Sequence, residues 1–436
     1  MKEKGLRQKE MSESCFSVTL KEDCCMGRVI IIGNSAAGLS ALESFRQYNS
    51  TDEVLVISKE GTAPYSRVLL PYILRGKLPY DCLNIREEDY FTGLNAKCVC
   101  EEVLHVNAAE HTVVTDRNTY PFDKLLIASG SHAVSPPVKG LDQEGVLHMW
   151  TRQDLDRLLP LFASSHKVVV IGSGFIALQA AWAAVSRGLQ VTVIELMDRI
   201  MPTVLDEKGA EILTQKIREA GVNLMTNTVT EEAEKTADGR FLLHLKDREP
   251  VEADFIIVGT GVRSNIEFLK DSGVVTERGI PVDAHLMTNV PDIYAAGDAA
   301  MGPTVFHDAH MTHALWPTAC EEGRVAGENM AGKDTVYEGS LNMNVTEMFH
   351  VTVASMGKFR DSETEKSYLF PEESGYGYLK ICYEKNRPVG GCLVGSWEAA
   401  EMFGRLRKVI KDIDTDAVPK EIFETVLSET IPGGVC

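Results

Sequence analysis

Two stretches of the chain repeat one pattern of apolar and polar positions. Uninterrupted apolar runs at residues 29–32 and 168–171 are rich in β-branched side chains, which is typical of strands buried on both faces of a parallel sheet. A glycine-containing turn and a helical pattern follow each run, the first helix being predicted over residues 39–48. A second apolar strand comes next, at residues 53–57 and at 191–194. The repetition predicts two doubly wound α/β units.

The remaining segments predict how the two units are connected. A hairpin-rich stretch is expected near residues 95–125, and the order of elements then repeats from 167 to 258. Beyond residue 341 the pattern indicates mostly strands, with one helix near 398–412. The predicted fold class is therefore α/β, with two Rossmann-like dinucleotide-binding domains, one inserted in the other, and a mostly β C-terminal α+β domain.

The turn after each apolar run carries a dinucleotide-binding fingerprint. Its positions are Gly33, Ser35 and Gly38 in the first unit and Gly172, Gly174 and Ala177 in the second. The first position makes a tight turn, the second allows the backbone to approach a pyrophosphate, and the third packs the helix on the strand. The helix N–H groups that would face the pyrophosphate begin at Ala36, Ala37, Phe175 and Ile176. Ser35 replaces the usual glycine but is small and can donate its hydroxyl. Two fingerprints predict two dinucleotides.

An acidic residue about 20 positions after such a fingerprint can hold a ribose hydroxyl. Glu195 ends the second strand of the second unit, 23 residues after Gly172 (195 − 172). A carboxylate there would bind the adenosine ribose and repel a 2′-phosphate, which predicts NADH over NADPH; Arg199 is the nearby cation that would partly offset this. In the first unit Glu60 is the candidate, and a solvated loop glutamate is the alternative.

Further motifs resemble the two-dinucleotide-binding-domain flavoprotein reductases, a branch of the pyridine nucleotide-disulfide oxidoreductase superfamily. The chain is most similar to the rubredoxin and ferredoxin reductases and to the flavin part of NADH-dependent nitrite reductase. The motifs run in order between residues 27 and 335 and occupy residues 64–72, 122–131, 254–265, 288–298 and 316–327. The resemblance implies FAD and NAD(H) as cofactors.

The resemblance also implies particular site residues and domains. Around FAD it indicates Arg67, Ala128, Ser129, Gly130, Gly297, Asp298 (on the ribityl chain) and Trp316, and on the NAD side Gly261. The implied division is an N-terminal tail at 1–26, an FAD-binding domain at 27–150 and 263–338, an NAD-binding domain at 151–262, and a C-terminal interface or dimerisation domain at 339–436.

The chain departs from its disulfide-reducing kin at the redox cysteine. Val68 or Leu69 takes the place of that cysteine, and Cys82 is the nearest thiol in sequence. Thiol relay chemistry is therefore not expected, since a thiolate must reach the flavin. Tyr72 and Gln179 stand where relatives often carry a lysine and a glutamate. The ten cysteines include no Cys-x-x-Cys pair, so reduced cytosolic thiols are expected.

Charge and composition narrow the classes of partner. A net charge of −19 argues against a nucleic-acid or anionic-membrane binder. No apolar run reaches the ~20 residues of a membrane helix, and the first 26 residues lack a secretory h-region, so a cytoplasmic protein is expected. A basic stripe at Arg405, Arg407, Lys408 and Lys411 is either a solvated helix face or a docking patch for an acidic electron carrier.

Three histidines before Trp316 raise the question of a metal. His307, His310 and His313 recur at steps of three and would share one helix face. Local hydrogen bonding is the alternative explanation, and it is favoured here because the segment borders the flavin motif. No metal site and no acid–base catalytic residue are therefore assigned.

The predicted function is an FAD-dependent NADH oxidoreductase. NADH would give a hydride to FAD, and the electrons would pass to a redox partner protein of the rubredoxin or ferredoxin kind, or to an iron–sulfur or other metal-containing oxidoreductase subunit. The assembly would be a homodimer or a hetero-complex. Two alternatives are an NADH oxidase or coenzyme A disulfide-type reductase, and a non-catalytic FAD/NAD-binding assembly subunit.

Overall fold

The computed structural model describes residues 26–306, 309–369, 377–385 and 387–412. The expected tail up to residue 25 and residues 413–436 of the expected C-terminal domain lie outside these ranges. The strands of the first part are β1 Arg28–Ile32, β2 Glu53–Ile57, β3 Ala96–Val99, β4 Val103–Asn107, β5 Thr112–Thr115, β6 Thr119–Pro121, β7 Lys124–Ile127, β8 Ser131–Ala133 and β9 Val146–Leu147. Its helices are α1 Ala36–Tyr48, α2 Leu70–Leu74 and α3 Tyr90–Gly93.

The elements of the middle of the chain begin with a helix. They are α4 Arg152–Ser164, β10 Lys167–Ile171, α5 Phe175–Ser186, β11 Gln190–Ile194, α6 Glu207–Glu219, β12 Asn223–Met225, β13 Thr230–Lys235, β14 Phe241–Leu245, β15 Arg248–Ala253, β16 Phe255–Val258 and β17 Val262–Ser264. Next come β18 Ile280–Pro281, β19 Ile293–Ala295, β20 Ala300–Pro303, β21 His310–Met311 and α7 Trp316–Met330. The last elements are β22 Met343–Met348, β23 Val351–Gly357, β24 Lys366–Leu369, β25 Gly377–Glu384, β26 Arg387–Gly395 and α8 Trp397–Asp412.

The first apolar run forms the centre of a five-stranded parallel sheet. Its order is β19-β7-β1-β2-β3, and Ile31 of β1 lies between Val56 and Leu126 of the neighbouring strands. Residues 29–32 are all buried, as a strand covered on both faces requires. Because β19 comes from residues 293–295, this sheet is completed only after the chain has built the second unit.

Helix α1 begins at Ala36, three residues before the predicted start at Leu39. Ser35 is extended and caps the helix, and its carbonyl accepts the Leu39 N–H at 2.9 Å. The short side chains after Ser35 therefore belong to the helix itself. They let α7 cross α1 closely: a Cβ on Gly323 would lie 2.2 Å from the carbonyl oxygen of Ala37. Glycine is required at that crossing because any side chain would collide with the α1 backbone.

The second apolar run centres another parallel sheet, of order β12-β11-β10-β16-β9. Its edge strand β9 lies at residues 146–147, inside the expected FAD-binding segment 27–150. The expected boundary at 150 therefore assigns one strand of the second sheet to the first domain. The pairing of β8 with β17 joins the two parts of the chain by a two-stranded antiparallel ribbon. Two antiparallel sheets, β4–β6 and β13–β15, match the predicted hairpin-rich stretches.

The C-terminal part is a five-stranded antiparallel sheet of order β22-β23-β26-β25-β24, with α8 packed on one face. Its other face packs on the second unit, where Phe349 and Val353 join the core built around α5 and β10. The buried Lys380 ammonium binds the carboxylate of Asp206, the N-cap of α6, at 3.2 Å. Among the described helices, none combines the length and apolar composition needed to cross a bilayer.

Candidate functional site

A cavity of about 400 Å³ lies at the carboxyl end of the first parallel sheet. Open α/β sheets bind their ligands at this edge. The predicted site residues that line the cavity are Gly33, Ser35, Ala36, Ala37, Glu60, Arg67, Ala128, Ser129, Gly130, Ile176, Gly297, Asp298 and Trp316. Segments separated by more than 250 residues therefore meet around one space.

The first fingerprint forms the floor of this cavity. Gly33 has φ +110°, and a Cβ there would lie 2.1 Å from the carbonyl oxygen of Ala128. The turn therefore requires glycine, and it directs the first N–H groups of α1 towards the cavity. Gly38 is not among the lining residues; its Cα packs on the Gly33 carbonyl, in the helix-packing position of the fingerprint. This arrangement fits a pyrophosphate held by backbone N–H groups and a helix dipole.

Asp298 enters the cavity from the short turn Gly297–Ala299 that follows β19. Ser131 donates its hydroxyl hydrogen to the Asp298 carboxylate at 2.5 Å, and Ser264 donates to the Asp298 carbonyl oxygen at 2.5 Å. Burial raises the pKa of Asp298, while the Ser131 hydrogen bond and the charge of Arg67 act in the opposite direction. The carboxylate is thus fixed in position with acceptor capacity left for a polyol.

Glu60 is bound by the side chains of the following loop. Its carboxylate pairs with the Arg67 guanidinium and accepts the Tyr65 hydroxyl. Arg67 also donates to the Trp150 carbonyl at 2.7 Å and lies over the Trp150 ring. Glu60 therefore positions Arg67 at the cavity wall, and its role on a ribose hydroxyl stays a prediction.

The second fingerprint forms a turn of the same kind at the end of β10. Gly172 has φ +103°, and no atom lies within 4 Å of the point where a Gly174 Cβ would stand. That open space is where the backbone of α5 can approach a pyrophosphate. Phe175 opens the helix, and Ile176, 37% exposed, reaches the first cavity. Gly261, with φ +111°, makes a turn after β16 that does not line this cavity.

Glu195 lies at the end of β11, as predicted, but its carboxylate is already engaged. One oxygen accepts the Ser173 hydroxyl at 2.5 Å and the other accepts the Met197 N–H at 2.8 Å. These bonds hold the carboxylate beside the fingerprint turn, where each oxygen keeps a further lone pair for a ribose. Arg199 pairs with Asp198 at 3.2 Å, which reduces its availability for a phosphate. The ribose contact itself stays a prediction.

A family model described as pyridine nucleotide-disulphide oxidoreductase matches residues 27–323. The match covers both parallel sheets and the start of α7, which together make up more than half of the chain. The chain belongs to this family. The resemblance expected from the sequence motifs is thereby confirmed. As a pyridine nucleotide-disulphide oxidoreductase, the protein is a flavoprotein enzyme that uses FAD and NAD(H).

Known relatives of this oxidoreductase differ in name and length. The chain is 30% identical over 369 residues to the "NADH-dependent phenylglyoxylate dehydrogenase subunit epsilon" of Aromatoleum evansii, covering 84% of this chain and 87% of the relative. It is 29% identical over 389 residues to a Bacillus subtilis (strain 168) NAD(P)H nitrite reductase; the match covers 87% of this chain but only 47%, about half, of that relative. A solved ferredoxin reductase from Rhodopseudomonas palustris shares the fold, with a TM-score of 0.80 at 24% identity over 87% of this chain and 93% of that one.

Val68 and Leu69, the two candidates for the redox-thiol position implied by the resemblance, are both apolar. Val68 lines the cavity and is 52% exposed. Among the described residues, no cysteine lines the cavity; Cys82 is exposed on the turn Tyr80–Leu83. Gln179 is buried on α5, and its amide donates to the Glu347 carbonyl of β22 at 2.7 Å. The position that carries glutamate in relatives thus contacts the C-terminal sheet here.

Of the three histidines, His313 makes a local hydrogen bond and His310 lies in β21, not on a shared helix face. His313 shares a 2.6 Å hydrogen bond with Ser340, and burial lowers the His313 pKa. His310 is exposed, and His307 lies outside the described residues. Within the described ranges no three His, Cys, Asp or Glu side chains form a potential metal site.

The basic stripe lies on α8. Arg407 and Lys411 pair with Glu321 of α7, Arg405 is exposed, and the side chain of Lys408 is not among those described. Two of the four charges therefore connect α8 to α7, and the docking role of the stripe stays a prediction.

Several cavity residues were not predicted from the sequence. Ser131 follows the Gly130 turn directly, so its place beside the motif was a usable signal. Asn265 is the last residue of the motif at 254–265, which was likewise a usable signal. Trp150 has no such signal, because its position depends on where the second unit joins the first. The Asn265 amide oxygen accepts a hydrogen bond from His132 Nδ1 at 2.7 Å, and the Asn265 amide nitrogen donates to the Ser129 carbonyl at 2.9 Å, so Asn265 holds the predicted turn in the cavity wall.

Proposed function

We propose that this chain accepts a hydride from NADH onto FAD and passes the electrons to a protein acceptor. The observation that carries the proposal is that Ile176 of the second fingerprint and Asp298 of the FAD-side turn line the same cavity. Two dinucleotides bound at the two fingerprints would therefore meet there. Bound FAD supplies the hydride-accepting and electron-releasing chemistry, while the protein supplies position, electrostatics and exclusion of water.

The chain's own residues would divide the work between the two ends of the cavity. The α1 N-terminus would hold the FAD pyrophosphate, and Asp298, fixed by Ser131, would accept hydrogen bonds from the ribityl hydroxyls. Arg67 would place its positive charge near the cofactor from the opposite wall. On the NAD side the α5 N-terminus would hold the second pyrophosphate, with Glu195 on the adenosine ribose.

The same assignment suggests how the chain is divided. We infer an FAD-binding domain from residues 27–150 and 263–338, with β9 contributing to the neighbouring sheet, and an NAD-binding domain from 151–262. The sheet β22–β26 with α8 would serve as the interface domain. Support comes from the two separate apolar cores around β1 and β10.

The acceptor follows from what lines the cavity. With Val68 or Leu69 at the thiol position and no cysteine among the described lining residues, electrons would leave FAD directly. The acceptor class we propose is an iron–sulfur or other metal-containing subunit of a larger complex, or a small rubredoxin- or ferredoxin-like protein. The name of the Aromatoleum evansii relative, a subunit of an NADH-dependent dehydrogenase, supports the first of these.

Oxygen and a one-electron dye distinguish an electron-transfer subunit from an NADH oxidase. We expect NADH-dependent ferricyanide reduction to exceed oxygen consumption by at least about tenfold in kcat, because no cysteine among the described residues lines the cavity to take part in oxygen reduction. Equal rates with oxygen would favour the oxidase alternative. FAD that NADH does not reduce would favour the non-catalytic assembly subunit.

A cysteine variant tests the direct route. Replacing Cys82 by Ser should leave NADH-to-dye electron transfer within about twofold of the wild-type rate, because the Cys82 thiol is exposed and outside the cavity wall. Steady-state dye reduction by proteins of equal FAD content checks this. A hundredfold loss of rate in the variant would restore a thiol relay to the mechanism.

A further inference from the structure

Directly behind the FAD-side turn lies a carboxyl group that the proposed chemistry does not use. Glu322, on the second turn of α7, is 2% exposed. One of its oxygens accepts the Gly297 N–H at 2.7 Å, so it holds the residue next to Asp298. The sequence motifs gave no reason to single out this position.

The surroundings of Glu322 disfavour a negative charge. Its charged neighbours are Asp298 on the turn and Glu321 on its own helix, both acidic. Arg407 and Lys411 of α8 pair with Glu321. Among the described residues, no Lys, Arg or His forms an ion pair with Glu322.

The remaining elements around Glu322 add no positive charge. Tyr337, in the segment after α7, is buried. Its ring and the Glu322 carboxyl both lie beside Gly302: a Cβ on Gly302 would stand 3.8 Å from Tyr337 Cε1 and 3.3 Å from Glu322 Oε1. The face that α1 presents to α7 consists of Ala37, Ala41 and Ser44, none of which titrates. Arg67, across the cavity, acts on Asp298 and not directly on Glu322.

A carboxylate buried without a cation is strongly unfavourable, so a group in this position stays protonated. Burial, reinforced by the charges of Asp298 and Glu321, raises the pKa of Glu322 to about 8. At neutral pH its oxygen therefore accepts the Gly297 N–H as part of a neutral acid. Above the pKa, a second negative charge would appear beside Asp298 at the wall that faces the cofactor.

We propose that Glu322 is a positioning residue that must remain a neutral carboxylic acid for the Gly297–Asp298 turn to hold FAD tightly. This rests on the assignment of Asp298 to the FAD site. FAD carries an anionic pyrophosphate, so its binding favours the protonated form of Glu322. By linkage, FAD affinity is constant below the pKa of Glu322 in the FAD-free protein and falls as the pH rises above it.

FAD titration of the FAD-free protein, followed by quenching of flavin fluorescence, tests this at pH 7 and pH 9. We expect the wild-type Kd to rise at least about fivefold, as a one-unit difference in the Glu322 pKa between the free and bound forms requires. Glu322→Gln keeps the acceptor for Gly297 and cannot ionise. It should match the wild-type Kd at pH 7 and change less than about twofold at pH 9.

Glu328→Gln is the matched control on the same helix. The Thr335 hydroxyl and Arg324 lower the pKa of Glu328 against the effect of burial, so it is ionised at both pH values and its loss should leave the fivefold change intact. An equal pH response in wild type and Glu322→Gln would overturn the inference. Unchanged FAD affinity in Asp298→Ala would instead remove the site assignment, whatever the pH response.

Discussion

Asp298→Ala should lower the affinity for FAD by about a hundredfold, the effect expected from losing charge-assisted hydrogen bonds of roughly 1.5–3 kcal/mol in a partly buried site. The carboxylate lines the cavity and is fixed by the Ser131 hydroxyl, so little reorganisation is needed when a polyol binds. The purified variant should lose its yellow colour on dialysis, and fluorescence titration should give the Kd.

Two further variants sharpen that result. Asp298→Asn keeps an acceptor oxygen without the charge, so its Kd should fall between those of the wild type and the alanine variant. Asp142→Ala removes an exposed carboxylate away from the cavity and should leave FAD binding unchanged. Full FAD retention by Asp298→Ala would show that the turn after β19 does not bind the cofactor.

The second large effect concerns the choice of nicotinamide cofactor. The wild type should prefer NADH over NADPH by at least about tenfold in kcat/KM, because a carboxylate–diol contact contributes on the order of 2–3 kcal/mol and a 2′-phosphate would meet the charge of Glu195. Ser173 and the Met197 N–H hold that carboxylate in place. Arg199 is engaged by Asp198 and offers the phosphate little compensation.

Glu195→Ala should raise KM for NADH and narrow the preference towards unity. Glu211→Ala, which removes an exposed carboxylate on α6, is the matched control and should keep the wild-type ratio. Steady-state rates with both cofactors and a dye acceptor decide the matter. An unchanged ratio in Glu195→Ala would assign the carboxylate a purely structural role on Ser173.

The sequence predicts the structure at a residue where that residue and its neighbours in sequence determine the local conformation. The run at 29–32 predicts a buried parallel strand because its β-branched side chains leave no polar face, and the structure confirms it. The start of α1 was predicted three residues late because its first residues are small and carry no amphipathic pattern. The meeting of Gly33 with Asp298 and Trp316 around one cavity followed from motifs in distant parts of the chain.

The positions that sequence could not predict are those decided by long-range packing. Trp150 reaches the cavity because β9 and α4 lead the chain from one sheet to the other. In the sequence, Arg407 and Lys411 fit a solvated stripe; in the structure both pair with Glu321 of α7. Glu322 appears in sequence as an ordinary helix glutamate, and only the crossing of α7 with α1 and the turn at Gly297 shows that it is buried.

Anaerobic titration of the FAD-loaded protein with NADH tests the central claim most directly. The account predicts that one NADH per FAD fully bleaches the flavin absorbance, because FAD would take up the hydride and no cysteine among the described residues lines the cavity to share the electrons. Uptake of two NADH per FAD would contradict the account by requiring a disulfide that is reduced together with the flavin. So would a flavin that stays oxidised in excess NADH.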